Sequence, residues 1–258
     1  MASTQSVDWL GSRNIYCALS VNDEVQLQPE EVHIWSASLI ATQDRLETFF
    51  GTLSKDERKR AKSFVRGLDR NRYIIARGIL RELLGNYLGI TPEQVRFTYG
   101  TYGKPYLTGL LVGDGLEFNL SHAANSAVYV FANRRQVGID IELLNHRMAW
   151  WELAPIIFSE NELLELDEIP EEDKMNAFFR GWTRKEALAK CCGLGFSLNA
   201  KVYNVPLRHL ETSRVIEILT QPKHQGVWYL YPIDPLVGFM AALAIKGTRL
   251  NSIRMKVY

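Results

Sequence analysis

Between Val32 and Ile245 the hydrophobic period of this chain changes from two to three-or-four and back, and then does so a second time. Val32, Ile34, Trp35 and Ala37 predict a half-buried strand over 32–39. From Gln43 to Arg66, Leu46, Phe49, Phe50, Leu53 and Ala61 recur at helical steps, and Ser54 with Glu57 has the spacing of a capping box that restarts the helix. A second helix is predicted over 69–88, where Tyr73, Ala76, Leu80, Leu83, Leu84 and Tyr87 share a face and Gly89 ends the run. Short strands follow at 95–97, 117–120 and 127–132, and, past the polar turn Asn133–Gln136, at 137–142. The order then repeats. A helix starts at Ser159, with Glu162 completing another capping box; another covers 175–191; strands are predicted at 215–219, 227–231 and 239–245. Helices then strands, twice, is an α+β chain of two pseudo-symmetric halves, each with helices packed on a small, mainly antiparallel sheet. The runs 77–84 and 184–190 are faintly alike, as duplication would leave them. The expected division is an irregular leader over 1–30, a first half over 31–134 and a second over 135–258. The halves are expected to touch, since no low-complexity or Pro/Gly linker separates them.

Composition excludes several classes. A net charge of +1 over 258 residues argues against a protein that coats nucleic acid or a membrane. The three cysteines, Cys17, Cys191 and Cys192, make neither a disulfide framework nor a zinc-ligand spacing. The opening residues lack a basic start followed by an apolar run, and no apolar stretch approaches the ~20 residues of a membrane helix. A soluble, cytoplasmic protein is expected. Its charge is nevertheless uneven: Lys55, Arg58, Lys59, Arg60, Lys62, Arg66, Arg70, Arg72, Arg77 and Arg81 face only Asp56, Glu57 and Asp69. Such a run is usually a solvated helix face, and it equally suits a phosphorylated ligand or an acidic partner.

Four short runs could carry chemistry. In Val137-Gly-Ile-Asp-Ile-Glu142, Asp140 and Glu142 share one face of a strand, and two adjacent carboxylates repel unless a proton or a cation lies between them. A hard divalent ion such as Mg²⁺ would take these oxygens, with phosphate and water completing its shell. Two solvated acids on an exposed strand have the same spacing. Trp182, Glu186 and Lys190 stack at four-residue steps on a helix, as a ligand stripe or as an ordinary surface Glu–Lys pair. In Tyr102-Gly-Lys-Pro-Tyr-Leu107, Pro105 extends Lys104 and Gly103 permits close approach of a ligand, although a surface turn would read the same way. Phe118-Asn-Leu-Ser-His122 brings a hydroxyl and an imidazole to a strand end, available to a phosphate or merely satisfied locally.

In order, G-K-P at 103–105, F-N-x-S-H at 118–122, G-I-D-x-E at 138–142 and W-x-x-K-E-A-x-x-K at 182–190 resemble the pattern of the Sfp-type 4′-phosphopantetheinyl transferases. Arg60-Ala-Lys-Ser-Phe64 with Asp69-Arg70 resembles the family's basic N-terminal element, and the likeness extends over about residues 32 to 245. The resemblance implies the 4′-phosphopantetheinyl transferase fold and a monomer, with coenzyme A and Mg²⁺ (Mn²⁺ as the alternative ion) between the halves. It implies Asp140, Glu142 and Glu186 as metal ligands, and Glu186, Lys190 and Asp140 as the catalytic set. Glu186, directly or through a water, would take the proton of a carrier serine, and Lys190 would neutralise the pyrophosphate and the leaving group. Arg60, Tyr102, Gly103, Lys104, Pro105, Ser121 and His122, with Asp140 and Lys190, would bind the coenzyme. Lys185 has no role assigned by the likeness. Two positions depart from the family: Glu57 stands where relatives carry a basic residue and Ser63 where arginine is common, so Arg72 or Arg77 would share the 3′-phosphate with Arg60.

The implied activity is transfer of phosphopantetheine from coenzyme A to an apo acyl or peptidyl carrier protein of fatty-acid, polyketide or nonribosomal-peptide synthesis. Fusion of two halves, about twice the size of the short trimeric type, implies broad carrier tolerance and a role in secondary metabolism. No nucleic-acid or membrane partner is expected. Two other readings use the same acids: a metal-dependent nuclease, which leaves G-K-P and F-N-x-S-H without a job, and a non-catalytic coenzyme A or carrier-binding protein, which would be expected to have lost a ligand.

Overall fold

Alternate residues of the central strands enter different cores, and that sets the layering. A computed structural model describes residues 16–18, 27–108, 115–193, 200–209, 214–218, 226–233 and 236–258. Most of the expected leader (1–15 and 19–26), Leu219 and Gly195 lie outside the described residues. In β2 (Glu31–Ser38) and β6 (Ser126–Asn133), Trp35, Ala37, Tyr129 and Phe131 point one way, and Val32, Ile34, Val128 and Val130 the other. All are buried, so each sheet face needs a covering layer.

The outer layer of the first half is α1 (Gln43–Thr52) and α3 (Gly67–Leu88), which bring Phe49, Ile75, Ile79 and Leu83 onto Trp35, Tyr129 and Phe131. On the inner side Val32, Ile34, Val128 and Val130 meet Ile139 and Ile141 of β7 (Val137–Leu143) and Leu243 and Ile245 of β10 (Phe239–Lys246). The far face of that second sheet carries Ala242, Ala244 and, from β9 (Gly226–Ile233), Trp228 and Leu230. These pack on Phe178, Ala187 and Leu188 of α6 (Glu171–Cys192). The result is helix, sheet, sheet, helix, with the two halves joined through a shared apolar core. Among the described residues no helix is long and apolar enough to cross a membrane.

The sheets are mostly antiparallel. The first runs β1 (Tyr16–Ala18), β11 (Ser252–Val257), β2, β6, β5 (Leu116–Ala123); the second runs β7, β10, β9, β8 (Arg214–Ile218). A ribbon of β3 (Phe97–Tyr99) and β4 (Pro105–Leu107) stands apart. Two assignments differ from expectation. Within the leader read as irregular, β1 is extended; and β11, placed by sequence in 135–258, lies in the first half's sheet between β1 and β2. Both pairings are parallel and join distant parts of the chain, Tyr16 with Ile253 and Glu31 with Ser252, so no local turn announces them.

The helical stretch read over 43–66 is divided at Leu53 and Ser54 into α1 and α2 (Lys55–Lys62), because the Ser54–Glu57 capping box forms and starts a new helix. Its twin, Ser159–Glu162, starts α5 (Glu160–Asp167). The strand expected at 95–97 begins two residues later, with Val95 buried beneath the helices instead. Neither β4 nor α4 (Trp150–Ile157) was legible: β4 has three residues, and α4 is a single short helix with Pro155 inside it.

Candidate active site

Strand alternation that sends Ile139 and Ile141 into the shared core turns Gly138, Asp140 and Glu142 toward α6. Gly138 is the closest approach: a Cβ there would sit 2.1 Å from the Ala187 carbonyl and 2.3 Å from the Cys191 nitrogen, so no larger residue lets β7 lie directly on the helix. Its neighbour Asp140 thereby reaches Lys190, whose Nζ donates to Asp140 Oδ1 at 2.6 Å and to Ser121 Oγ at 2.7 Å. The Ser121 hydroxyl in turn donates to the same Asp140 oxygen at 2.9 Å. Residues from both halves therefore close one network.

The cleft around this network has a volume of about 810 Å³. Every candidate read from the sequence except Arg72 lines it: Arg60 from α2, Arg77 from α3, Tyr102 to Pro105 from the β3–β4 ribbon, Ser121 and His122 from β5, Asp140 and Glu142 from β7, and Trp182, Glu186 and Lys190 from α6. The acids interact. Burial first, then the Asp140 charge, pushes the Glu142 carboxyl up to about 7, with Glu186 adding to the effect and Lys190 opposing it. Burial and then Asp140 also raise Glu186. His122 is exposed at the rim yet crowded enough that desolvation, then Lys190 and Arg72, lower its pKa, so its imidazole is neutral at neutral pH.

Do these groups fit a hard cation? Among the described residues no three acids, histidines or cysteines converge closely enough to form a shell by themselves. Yet Asp140 is almost fully buried and its Oδ2 has no hydrogen-bond partner, which leaves a carboxylate oxygen aimed at nothing in the protein. That oxygen, the raised Glu142 and Glu186 carboxyls and an all-oxygen donor set suit an ion such as Mg²⁺, which keeps several waters and takes phosphate oxygens. The residues fit.

Other candidates have different surroundings from those expected. Lys104 lines the cleft, but its ammonium donates to the Val137 carbonyl at 3.0 Å and the Cys191 carbonyl at 3.3 Å. Arg77 borders the cleft with its guanidinium engaged by Glu57 (2.7 Å) and Tyr99 (2.9 Å), and Arg72 bonds the Asn125 side chain across the β5–β6 turn. Arg60 is exposed on the cleft wall and makes no ion pair among the described residues. Glu57, read as a departure from the basic pattern, is buried and pairs with Arg81 at 2.6 Å as well as Arg77, so part of the positive run is internal. Lys185 is also internal, 2.8 Å from Glu162 and donating to the Tyr203 carbonyl at 3.0 Å. Sequence reasoning missed Asn119, a buried residue whose Oδ1 accepts from the Ile139 amide at 3.0 Å. Its place inside the F-N-x-S-H run was the available signal.

Comparison with known proteins defines the class. Residues 136–240 match the 4′-phosphopantetheinyl transferase superfamily, and residues 37–134 match the family described as 4′-phosphopantetheinyl transferase, N-terminal. The chain is 38% identical over 221 residues to the 4′-phosphopantetheinyl transferase HetI of Nostoc sp. (strain PCC 7120), covering 86% of this chain and 90% of that one. It therefore belongs to the 4′-phosphopantetheinyl transferase family, enzymes that transfer phosphopantetheine from coenzyme A to carrier proteins. The chain is also like the 4′-phosphopantetheinyl transferase AcpT of Salmonella typhimurium, 39% identical over 110 residues, which is 43% of this chain and 54% of that one. Among solved structures, the holo-[acyl-carrier-protein] synthase of Thermotoga maritima aligns over 44% of this chain and 64% of its own, at 19% identity and a TM-score of 0.33. Membership in this family replaces the nuclease and the non-catalytic binding readings.

Proposed function

We propose that this transferase is Mg²⁺-dependent and moves 4′-phosphopantetheine onto a serine hydroxyl of apo acyl and peptidyl carrier proteins, releasing adenosine 3′,5′-bisphosphate. One observation carries the reading: a buried Asp140 with one oxygen held by Lys190 and Ser121 and the other unpartnered, beside two carboxyls that burial and then its charge raise. Asp140, Glu142 and Glu186 would hold the ion, which supplies charge compensation to the pyrophosphate as the phosphoanhydride bond breaks.

The rest is work for the chain's own groups. His122 and Ser121 border the phosphates, and Lys104 and Pro105, with Tyr102 and Gly103, form the wall for the nucleotide. Arg60 is the exposed cation for the 3′-phosphate. Glu186, directly or through a water, accepts the serine proton; its raised pKa brings it nearer to the range a general base needs. The serine oxygen forms a bond to the β-phosphorus, the bond from that phosphorus to the bridging oxygen breaks, and Lys190 offsets the charge left on the departing bisphosphate. A catalytic centre composed from one chain is consistent with a monomer, and a cleft bordered by a basic α2 suits an acidic carrier.

The test is direct. The protein is incubated with coenzyme A, Mg²⁺ and a panel of apo carriers from fatty-acid, polyketide and nonribosomal-peptide systems, and each carrier is weighed by intact mass spectrometry. The expected result is a phosphopantetheine increment on several carriers that disappears with chelator. Increments that persist undiminished in chelator would remove the metal from the reading.

A further inference from the structure

Asp140 and Lys190 owe their positions to backbone that is itself held from the other half. On β7, the Val137 carbonyl accepts from Lys104 Nζ at 3.0 Å, and two residues on, the Ile139 amide donates to Asn119 Oδ1 at 3.0 Å. Between those two points lies Gly138, pressed against Ala187 and Cys191 of α6. The same Lys104 ammonium reaches the Cys191 carbonyl at 3.3 Å. This carbonyl belongs to the last turn of α6, where a helix leaves carbonyls unpaired and its dipole favours a cation. Lys104 is thus a C-terminal cap for α6 supplied by the first half, and at the same time a tether for β7. The residue after Val137 and Gly138 on this path is Ile139, then Asp140; the residue before Cys191 is Lys190.

We propose that Lys104 is a positioning residue of the transferase, with Asn119 its companion: together they set the register of β7 and α6 against the coenzyme-binding half, and the Lys104 ammonium is not a phosphate ligand. The inference rests on the proposed function for its catalytic part. Its geometry explains the side chain's burial, at 9% exposure, which a phosphate-gripping lysine on an open cleft wall would not need. A misplacement of about 1 Å between reacting groups can cost on the order of a hundredfold in rate.

The experiment compares Lys104→Met, which keeps the stem and removes the ammonium, with wild type by three readouts. Hydrogen exchange should speed up over 137–143 and 187–193 and stay unchanged in α3. Coenzyme A affinity by calorimetry should remain within about twofold, since no phosphate contact is lost, while kcat falls about ten- to a hundredfold. Loss of about tenfold or more in coenzyme A affinity, with dephospho-coenzyme A unaffected, would make Lys104 a 3′-phosphate ligand and overturn the proposal; so would unchanged exchange. If Lys104→Met does not fold, Asn119→Ala severs the tether on the other side of Gly138 and must show the same exchange pattern and the same split between affinity and kcat; a wild-type profile there overturns the proposal. If wild type modifies no carrier, the proposed function fails, while exchange and calorimetry still decide the role of Lys104.

Discussion

In the last turns of α3, Tyr87 reaches over β2, where its hydroxyl accepts from Trp35 Nε1 at 3.1 Å and lies 2.7 Å from His33 Nδ1. In the last turn of α6, Lys190 reaches over β7, where its ammonium meets Asp140 and Ser121. The two places correspond: each is the end of a 22-residue helix lying on the first strand of its half, preceded by an eight-residue helix with a Ser–Glu capping box. The likeness extends to a shared run, Arg77-Gly-x-x-Arg81 and Arg180-Gly-x-x-Arg184, whose buried second arginines donate to carbonyls of the following loop, Pro92 and Val95 in one half, Pro206 and Arg208 in the other. What differs is charge. At this place the first half joins Tyr87 to His33 and Trp35 by hydrogen bonds and pairs its buried Glu57 with Arg77 and Arg81 at the cleft wall; the second leaves acids and a lysine facing the open cleft. One copy of the unit stabilises, and its twin, with the same scaffold, is free to carry chemistry.

Mutations break this comparison most sharply at the charged site. Asp140→Ala should lower turnover about 10⁴-fold or more, ~5 kcal/mol of barrier, in a protein whose circular dichroism is unchanged. A folded Asp140→Ala with near wild-type rate at saturating Mg²⁺ would contradict the asymmetry. In the buried Glu57–Arg77–Arg81 cluster, Glu57→Gln keeps the capping box but strands two guanidiniums that cannot deprotonate, and should cost about 3–4 kcal/mol of unfolding free energy in urea titrations. Glu162→Gln, with its oxygen kept on the Ser159 amide, turns its NH2 toward the Val205 amide and strands one cation, Lys185, whose pKa burial already lowers, and should cost less. Equal costs would show that the two buried acids are not distinguished by their partners.

The neutral triad carries a pH signature. Burial, then Lys256, pushes His33 down to about 4. In the unfolded chain the imidazole takes its proton near 6.5, before the folded one does, so stability is intact above about pH 6.5 and lost as pH falls toward 4. The loss is on the order of 3 kcal/mol, and His33→Gln should be missing that part of the acid decline. Parallel urea midpoints for the two proteins across this window would mean that His33 is not buried neutral. The smallest effect belongs to the rim: Arg60→Ala should weaken coenzyme A about tenfold, ~1.4 kcal/mol, and dephospho-coenzyme A hardly at all, by calorimetry. Equal weakening of both would move the 3′-phosphate elsewhere.

The sequence carried the helices and the antiparallel strands because their signals are local. Ser54 and Ser159 with glutamates three residues on, and the alternation around Ile139, are readable within a few residues. The site was legible for the same reason: D-x-E puts two acids on one strand face, and the W-E-K stripe puts Glu186 and Lys190 on one helix face. What stayed hidden is long-range. Strand β11 crosses to the first sheet, Lys104 spends its charge on two carbonyls of the other half, and Glu57, which looked like a lost cation, is the counter-ion of Arg77 and Arg81. No residue's own neighbours announce a partner dozens of positions away, and a buried salt bridge reads in sequence as surface charge.

The central claim, that the two corresponding helices α3 and α6 were divided between structure and chemistry, is tested by rates of phosphopantetheine transfer to one apo carrier, followed by intact mass, for Tyr87→Phe and Glu186→Gln side by side. The account predicts that Tyr87→Phe loses stability but turns over within about threefold of wild type, while Glu186→Gln, folded, falls about a thousandfold or more. A folded Glu186→Gln with a rate close to wild type, or a stable Tyr87→Phe that has lost it, would contradict the division.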